Sequence, residues 1–277
     1  MGSASAPVPA EDPVPAGDPV AVEAPVPGEG PALAVAALAW GVGGLVIVDG
    51  VDLQVARGEL VSVIGPNGAG KTSLINLVSG VHRPRAGSVE LLGEDVTRLR
   101  PAERARRGLG RTSQTSSLFP GLTVEENVRL AAQAALGGSL NLVATPRPDD
   151  EAHARATSAL ERVGLGARRR DTVRELSHGD KRKLEMAVVL AGDPRVLLLD
   201  EPTAGVSVEQ TQPLIDLIHE VHRGGTTILM VEHRMEFVVD VSDRIAVMHE
   251  GSLLTTGTPG EVMADERVRT AYLGRRR

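Results

Sequence analysis

The stretch GPNGAGKTS at 65–73 constrains this chain more than any other part of it. Gly65, Pro66, Asn67, Gly68, Ala69, Gly70, Lys71, Thr72 and Ser73 match G-x-x-x-x-G-K-[ST] completely. Before it, LVSVI is apolar and β-branched, the pattern of a buried strand. After it, LINLV has helical spacing. The glycines let the backbone turn tightly, so that several N–H groups converge on one anion. The helix that follows begins with unpaired N–H groups and a positive dipole end, which favour phosphate. Lys71 is placed to neutralise β- and γ-phosphate charge, and the Thr72 hydroxyl suits Mg²⁺. A chance lysine in a Gly-rich turn leaves the flanking strand and helix without a reason. The motif predicts a triphosphate-binding loop.

The rest of the composition is compatible with a parallel sheet around that loop. At 277 residues the chain can bury a full core. Hydrophobic residues make up 42% but aromatics only 1%, so the core must be built from Val, Leu, Ile and Ala, as in a sheet covered on both faces. A net charge of −6 argues against a nucleic-acid partner. The absence of cysteine excludes disulfides, thiolate metal sites and a Cys nucleophile. The uncharged run at 31–48 approaches the length of a membrane span. Gly41, Gly43 and Gly44 interrupt it, and no basic residue precedes Arg57. The reading is strand–turn–strand, with neither a span nor a signal peptide expected.

Along the chain, residues 1–30 repeat Pro, Ala, Val and acidic residues without period and read as a disordered tail. Two strands follow around the glycine turn, and Arg57-Gly58 reads as a hairpin turn into the loop strand. GSVELLG is a short strand, and Pro101 opens a small basic helix. Thr123-Val-Glu-Glu126 is a capping box, and its helix is expected to run to about Leu136. Further helices are expected from Glu151 to Val163 and from LSHGD to Gly192, so 115–192 reads as a helical insert. The α/β alternation then resumes with VLLLDE. Ser207 caps a helix in which Pro213 predicts a kink or a late start. TTILMV, RIAVMH and SLLTTG are strands, and Thr258-Pro-Gly-Glu261 caps a last helix.

Asp200 and Glu201 end the apolar run VLLLDE. In a parallel sheet such a strand end lies beside the loop, so Asp200 can face its metal and Glu201 can polarise a water near the γ-phosphate. LSHGD has two readings. Ser177 with Asp180 is an ordinary helix cap, whereas Ser177, Gly179 and the exposed N–H groups form a second anion site. Gln114 and His233, each after a strand, are singly uninformative.

The order of these pieces resembles the nucleotide-binding domain of ABC transporters. GPNGAGKT resembles Walker A, Gln114 the Q-loop, LSHGD the signature, LLLDE Walker B and His233 the switch histidine. The likeness spans 33–274, and several segments are similar to uptake ATPases for branched-chain amino acids, urea and amides. The terminal AYLG is one of them. It implies an α/β P-loop NTPase core of mainly parallel sheet, with an N-terminal antiparallel β subdomain and a helical insert. It also implies an ATP- and Mg²⁺-dependent hydrolase, with Glu201, His233 and Gln114 catalytic and with Thr72, Gln114 and Asp200 toward the metal.

The implied partner is a second ATPase subunit, identical or paralogous, whose nucleotide would meet Ser177 and Gly179. Membrane permeases and, indirectly, a solute-binding protein complete the assembly, at the cytoplasmic face of the membrane. The signature departs from LSGGQ, and Val42 stands where an aromatic residue is expected against adenine. Trp40, two residues back on an extended strand, becomes the candidate adenine contact. Ser207 stands at the D-loop position. A non-hydrolysing regulatory partner, an exporter ATPase and a soluble ABC ATPase are the alternatives.

Overall fold

The computed structural model describes residues 30–112, 118–137, 151–205 and 208–273. The expected tail at 1–29 and the positions of Gln114 and Ser207 lie outside the described residues. The uncharged run becomes β1 (Leu33–Val42) and β2 (Leu45–Val55), paired antiparallel around Gly43 and Gly44. With β4 (Ala86–Leu91) and β5 (Glu94–Asp95) they make a four-stranded sheet in the order β2-β1-β4-β5. No helix among the described residues is long and apolar enough to cross a membrane.

The second sheet has six strands in the order β10-β9-β3-β8-β7-β6. The loop strand β3 (Leu60–Ile64) lies inside it, parallel to β8 (Thr227–Val231) and β9 (Arg244–His249). Parallel pairing continues through β7 (Val196–Asp200) to β6 (Leu109–Arg111), and only β10 (Ser252–Gly257) runs antiparallel. The expected hairpin at Arg57-Gly58 is therefore corrected. The chain does turn there, with Glu59 N–H donating to Ala56 O at 3.2 Å, but β2 and β3 enter different sheets. A tight turn is one local signal, and which strands pair is decided by distant partners.

The pleat of the six-stranded sheet separates two cores. Leu60 and Ile64 face one, and Val61 and Val63 the other. Leu197/Leu199, Ile228/Met230 and Ile245/Val247 join the first, while Val196/Leu198, Leu229/Val231 and Ala246/Met248 join the second. This is the two-residue period of strands buried on both faces. The first core is shared with α3 (Val124–Ala135), α4 (Glu151–Arg162), α5 (His178–Leu190), α6 (Val208–Arg223) and α7 (Met235–Val241). The second encloses α1 (Lys71–Val78) between the two sheets. Capping boxes at Thr123 and Thr258 start α3 and α8 (Pro259–Ala264) as expected. Pro213 lies inside α6, which is already helical at Val208, so its late start is corrected. The chain then enters α9 (Glu266–Leu273).

One arginine closes the far end of α1. Arg104, on α2 (Pro101–Ala105), is 1% exposed. Its Nη1 donates to Leu77 O at 2.7 Å and Val78 O at 2.6 Å, and its Nη2 to Thr97 O at 2.9 Å. Burial pulls this guanidinium down to about 10. The last carbonyls of a helix have no partner within it, and here a side chain supplies one. Replacing Arg104 with Leu removes this donor from Val78 O and Thr97 O, while Leu77 O keeps the Gly80 N–H, and is expected to lower stability by about 2–4 kcal/mol, read as a lower urea midpoint at an unchanged slope.

Candidate nucleotide site

The loop between β3 and α1 is shaped by close backbone approaches. A Cβ on Gly65 would lie 2.1 Å from Met248 O, and one on Gly70 would lie 2.5 Å from Ile47 O. Gly70 also has φ +96, in the left-handed region that only glycine occupies readily. Lys71 is 8% exposed, and its Nζ donates to Gly65 O at 2.7 Å and Pro66 O at 3.0 Å. The ammonium is thus folded back over the loop. Burial lowers its pKa, against the pull of the nearby Glu201 carboxylate. Thr72, next on α1, is exposed.

Parallel register brings the other groups to the same edge. Val63 pairs with Val231, and Val231 with Asp200, so β3, β8 and β7 end in one row. Asp200 is 2% exposed and takes Arg111 Nη2 at 3.0 Å, while Arg111 Nη1 reaches Ser79 Oγ at 2.6 Å. Burial raises the Asp200 pKa and the guanidinium opposes that rise. The Thr72 hydroxyl and the Asp200 carboxylate are hard oxygen donors, the kind Mg²⁺ takes in ones or twos together with phosphate oxygens. The donor set therefore fits that ion.

Glu201 follows in a left-handed conformation, φ +48, with its N–H bonded to Val231 O at 2.9 Å. His233, 55% exposed, stands at the end of the neighbouring β8, with Nδ1 3.5 Å from Glu232 Oε2. Sequence reading passed over three residues here: Arg111, Glu232 and Tyr272. Glu232 is fully buried. Tyr272 of α9 lies beside Gly65, and burial pushes its phenol up to about 12 against the pull of the Gly65 backbone. Each of the three lies in a segment similar to the uptake ATPases, Arg111 in GRTSQ, Glu232 in MVEHRMEF and Tyr272 in AYLG, but none of those segments assigned it a role.

Ser177 and Gly179 stand at the start of α5. The Ser177 hydroxyl accepts from Asp180 N at 3.1 Å and donates to Asp180 Oδ2 at 2.9 Å, while Arg168 Nη1 holds that carboxylate at 2.7 Å. The capping geometry is present, and it leaves Ser177 and His178 exposed at the helix start. Trp40 stacks on His82, centroids 4.5 Å apart and planes 8° from parallel. The register shifts on either side of Trp40 put the extra residues on β2, so β1 itself is regular from Trp40 to Val42. Val42, Leu45 and Val46 are exposed at the β1–β2 turn, and Ile47 is the residue whose carbonyl abuts Gly70.

Comparison with known proteins agrees with this geometry. The ABC transporter family model matches residues 48–204, and a model for branched-chain amino acid ATP-binding cassette transporters matches 252–277. The chain belongs to the ABC transporter ATP-binding family. As such it is a nucleotide-binding ATPase with an α/β P-loop fold. The high-affinity branched-chain amino acid transport ATP-binding protein LivG of Salmonella typhimurium is 40% identical over 88% of this chain and 98% of its own. BraF of Pseudomonas aeruginosa, of the same description, is 38% identical over the same shares. Among solved structures, the ADP conformation of an ABC transporter cassette has a TM-score of 0.79 at 29% identity, over 88% of this chain and 99% of that one.

Gly70→Ala tests the loop directly. Strain at φ +96 and the approach to Ile47 O are expected to lower stability by about 1–3 kcal/mol. A displaced loop is expected to weaken binding of a fluorescent ATP analogue by more than about tenfold, or 1.4 kcal/mol.

Proposed function

We propose that this chain is the ATP-hydrolysing subunit of an importer for branched-chain amino acids or a closely related small polar solute. It works at the cytoplasmic face of the membrane with separate permease subunits. The observation that carries the hydrolytic reading is the row formed by the loop, Asp200, Glu201 and His233 at the ends of three parallel strands. The solute reading is supported by LivG and BraF, each described as a branched-chain amino acid transport protein, and by the C-terminal match at 252–277.

In this reading the loop N–H groups and Lys71 cradle the phosphates. Thr72 and Asp200 would hold Mg²⁺, which would supply charge neutralisation to the phosphates. Glu201 orients the attacking water, and His233 contacts the γ-phosphate. Gln114 links the metal and water to the permease side. Phosphoryl transfer needs mainly positioning and charge stabilisation, so a set of fixed donors is sufficient machinery. The 115–192 insert carries the signature, and Ser177, exposed at the start of α5, and the half-buried Gly179 serve the nucleotide of a second ATPase subunit. Adenine is held near the β1–β2 turn, with Trp40 as the aromatic candidate.

Glu201→Gln removes the carboxylate that acts on water and leaves the loop intact. ATP-dependent dimerisation is expected to persist on size exclusion, while phosphate release falls by at least about 10²-fold. Turnover at the unsubstituted level overturns the role of Glu201. For the solute, cells carrying only the Glu201→Gln chain are expected to lose uptake of radiolabelled leucine, isoleucine or valine; undiminished uptake of all three overturns the importer reading.

A further inference from the structure

Glu232 has no part in the chemistry described so far, yet it is the most completely bonded carboxylate near the site. It is 0% exposed. One oxygen, Oε1, accepts from the Thr203 N–H at 3.0 Å and from the Thr203 hydroxyl. The other, Oε2, accepts from the N–H groups of His233 at 2.7 Å and Arg234 at 3.1 Å. The two oxygens thus serve two different loops. Thr203 lies two residues beyond Glu201, in the turn closed by Ala204 N–H to Glu201 O at 3.0 Å. His233 and Arg234 begin the loop after β8, and Arg234 Nη1 extends to Thr211 Oγ1 on α6 at 3.0 Å.

Both loops need such an anchor. Glu201 sits at φ +48, a conformation that a non-glycine residue keeps only when its surroundings hold it. The His233 side chain is 55% exposed, so packing alone does little to aim it. The backbone direction at His233 is set by the bond from its own N–H to Glu232. An ionised carboxylate accepting backbone N–H bonds is among the stronger hydrogen-bonded arrangements available.

We propose that Glu232 is a positioning residue that locks the loop of Glu201 to the loop of His233, so that both meet one γ-phosphate in a fixed relation. This rests on the reading of Glu201 and His233 given above. Gln at this position keeps the volume but offers a single acceptor oxygen, and turns an NH₂ group either against the Thr203 N–H or against those of His233 and Arg234. A misplacement of about 1 Å can cost about 10²-fold in rate, so the loss belongs in turnover rather than in ATP affinity.

The test is a double-mutant cycle of Glu232→Gln and His233→Ala in the full chain, with kcat, affinity for a fluorescent ATP analogue and melting temperature measured for each. Glu232→Gln is expected to lower kcat by about tenfold or more, with affinity changed less than about twofold. Adding it to His233→Ala is expected to cost much less than it does alone, as for residues that act as a unit. Unchanged kcat in Glu232→Gln, affinity falling as far as kcat, or losses that multiply in full each overturn the proposal. His233→Ala at normal turnover overturns the reading of His233 and this inference with it. His233→Ala slow beside Glu232→Gln normal overturns this inference alone. Should Glu232→Gln fail to fold, Thr203→Val decides: it removes one donor to Oε1, and lower kcat at unchanged affinity supports the proposal, whereas unchanged kcat overturns it.

Discussion

The parallel register of β3, β8 and β7 sets the spacing of everything chemical in this molecule. Backbone hydrogen bonds align Val63, Val231 and Asp200, and within two residues each strand gives way to a loop of the site. Parallel strands of this kind lie between two covered faces. Both cores therefore contribute: α1 and the antiparallel sheet on one side, the helices α3 to α7 on the other. A defect in either core reaches the site through the strands they share. The loop groups do not need to find one another, because the sheet has already placed their backbones.

Charge placement follows from that geometry. Five ionisable groups crowd the row: Lys71, Asp200, Glu201, the buried Glu232 and the exposed His233. Each buried member has a compensating partner. Lys71 leans on two loop carbonyls, Asp200 on Arg111, and Glu232 on the donors of two loops. Buried charge is tolerated where it is bonded in this way. Glu201 stands apart, half-buried, with Lys71 near enough to feel its charge. The group assigned to water is thus the least enclosed of the carboxylates in the row.

How much of this could be read in advance depended on how local each signal was. The loop 65–73, the strand ends at Asp200 and His233, and the caps at Thr123 and Thr258 are contiguous patterns, and each formed as read. The Arg57-Gly58 turn was visible, but a hairpin and a crossing between sheets begin with the same turn. Arg111, Arg104 and Glu232 act across 89, 27 and 29 residues of sequence, and a lone charged residue carries no mark of so distant a partner.

Arg104 has a mechanical consequence. The helix that begins at the phosphate loop has only 8 residues, and it is fastened at both ends. Lys71 ties its start to the carbonyls of Gly65 and Pro66, and Arg104 ties its finish to Thr97 and Leu99. A short rod pinned twice cannot tilt about either pin. Arg104 thereby holds the helix of the nucleotide loop at a fixed separation from the segment that follows β5.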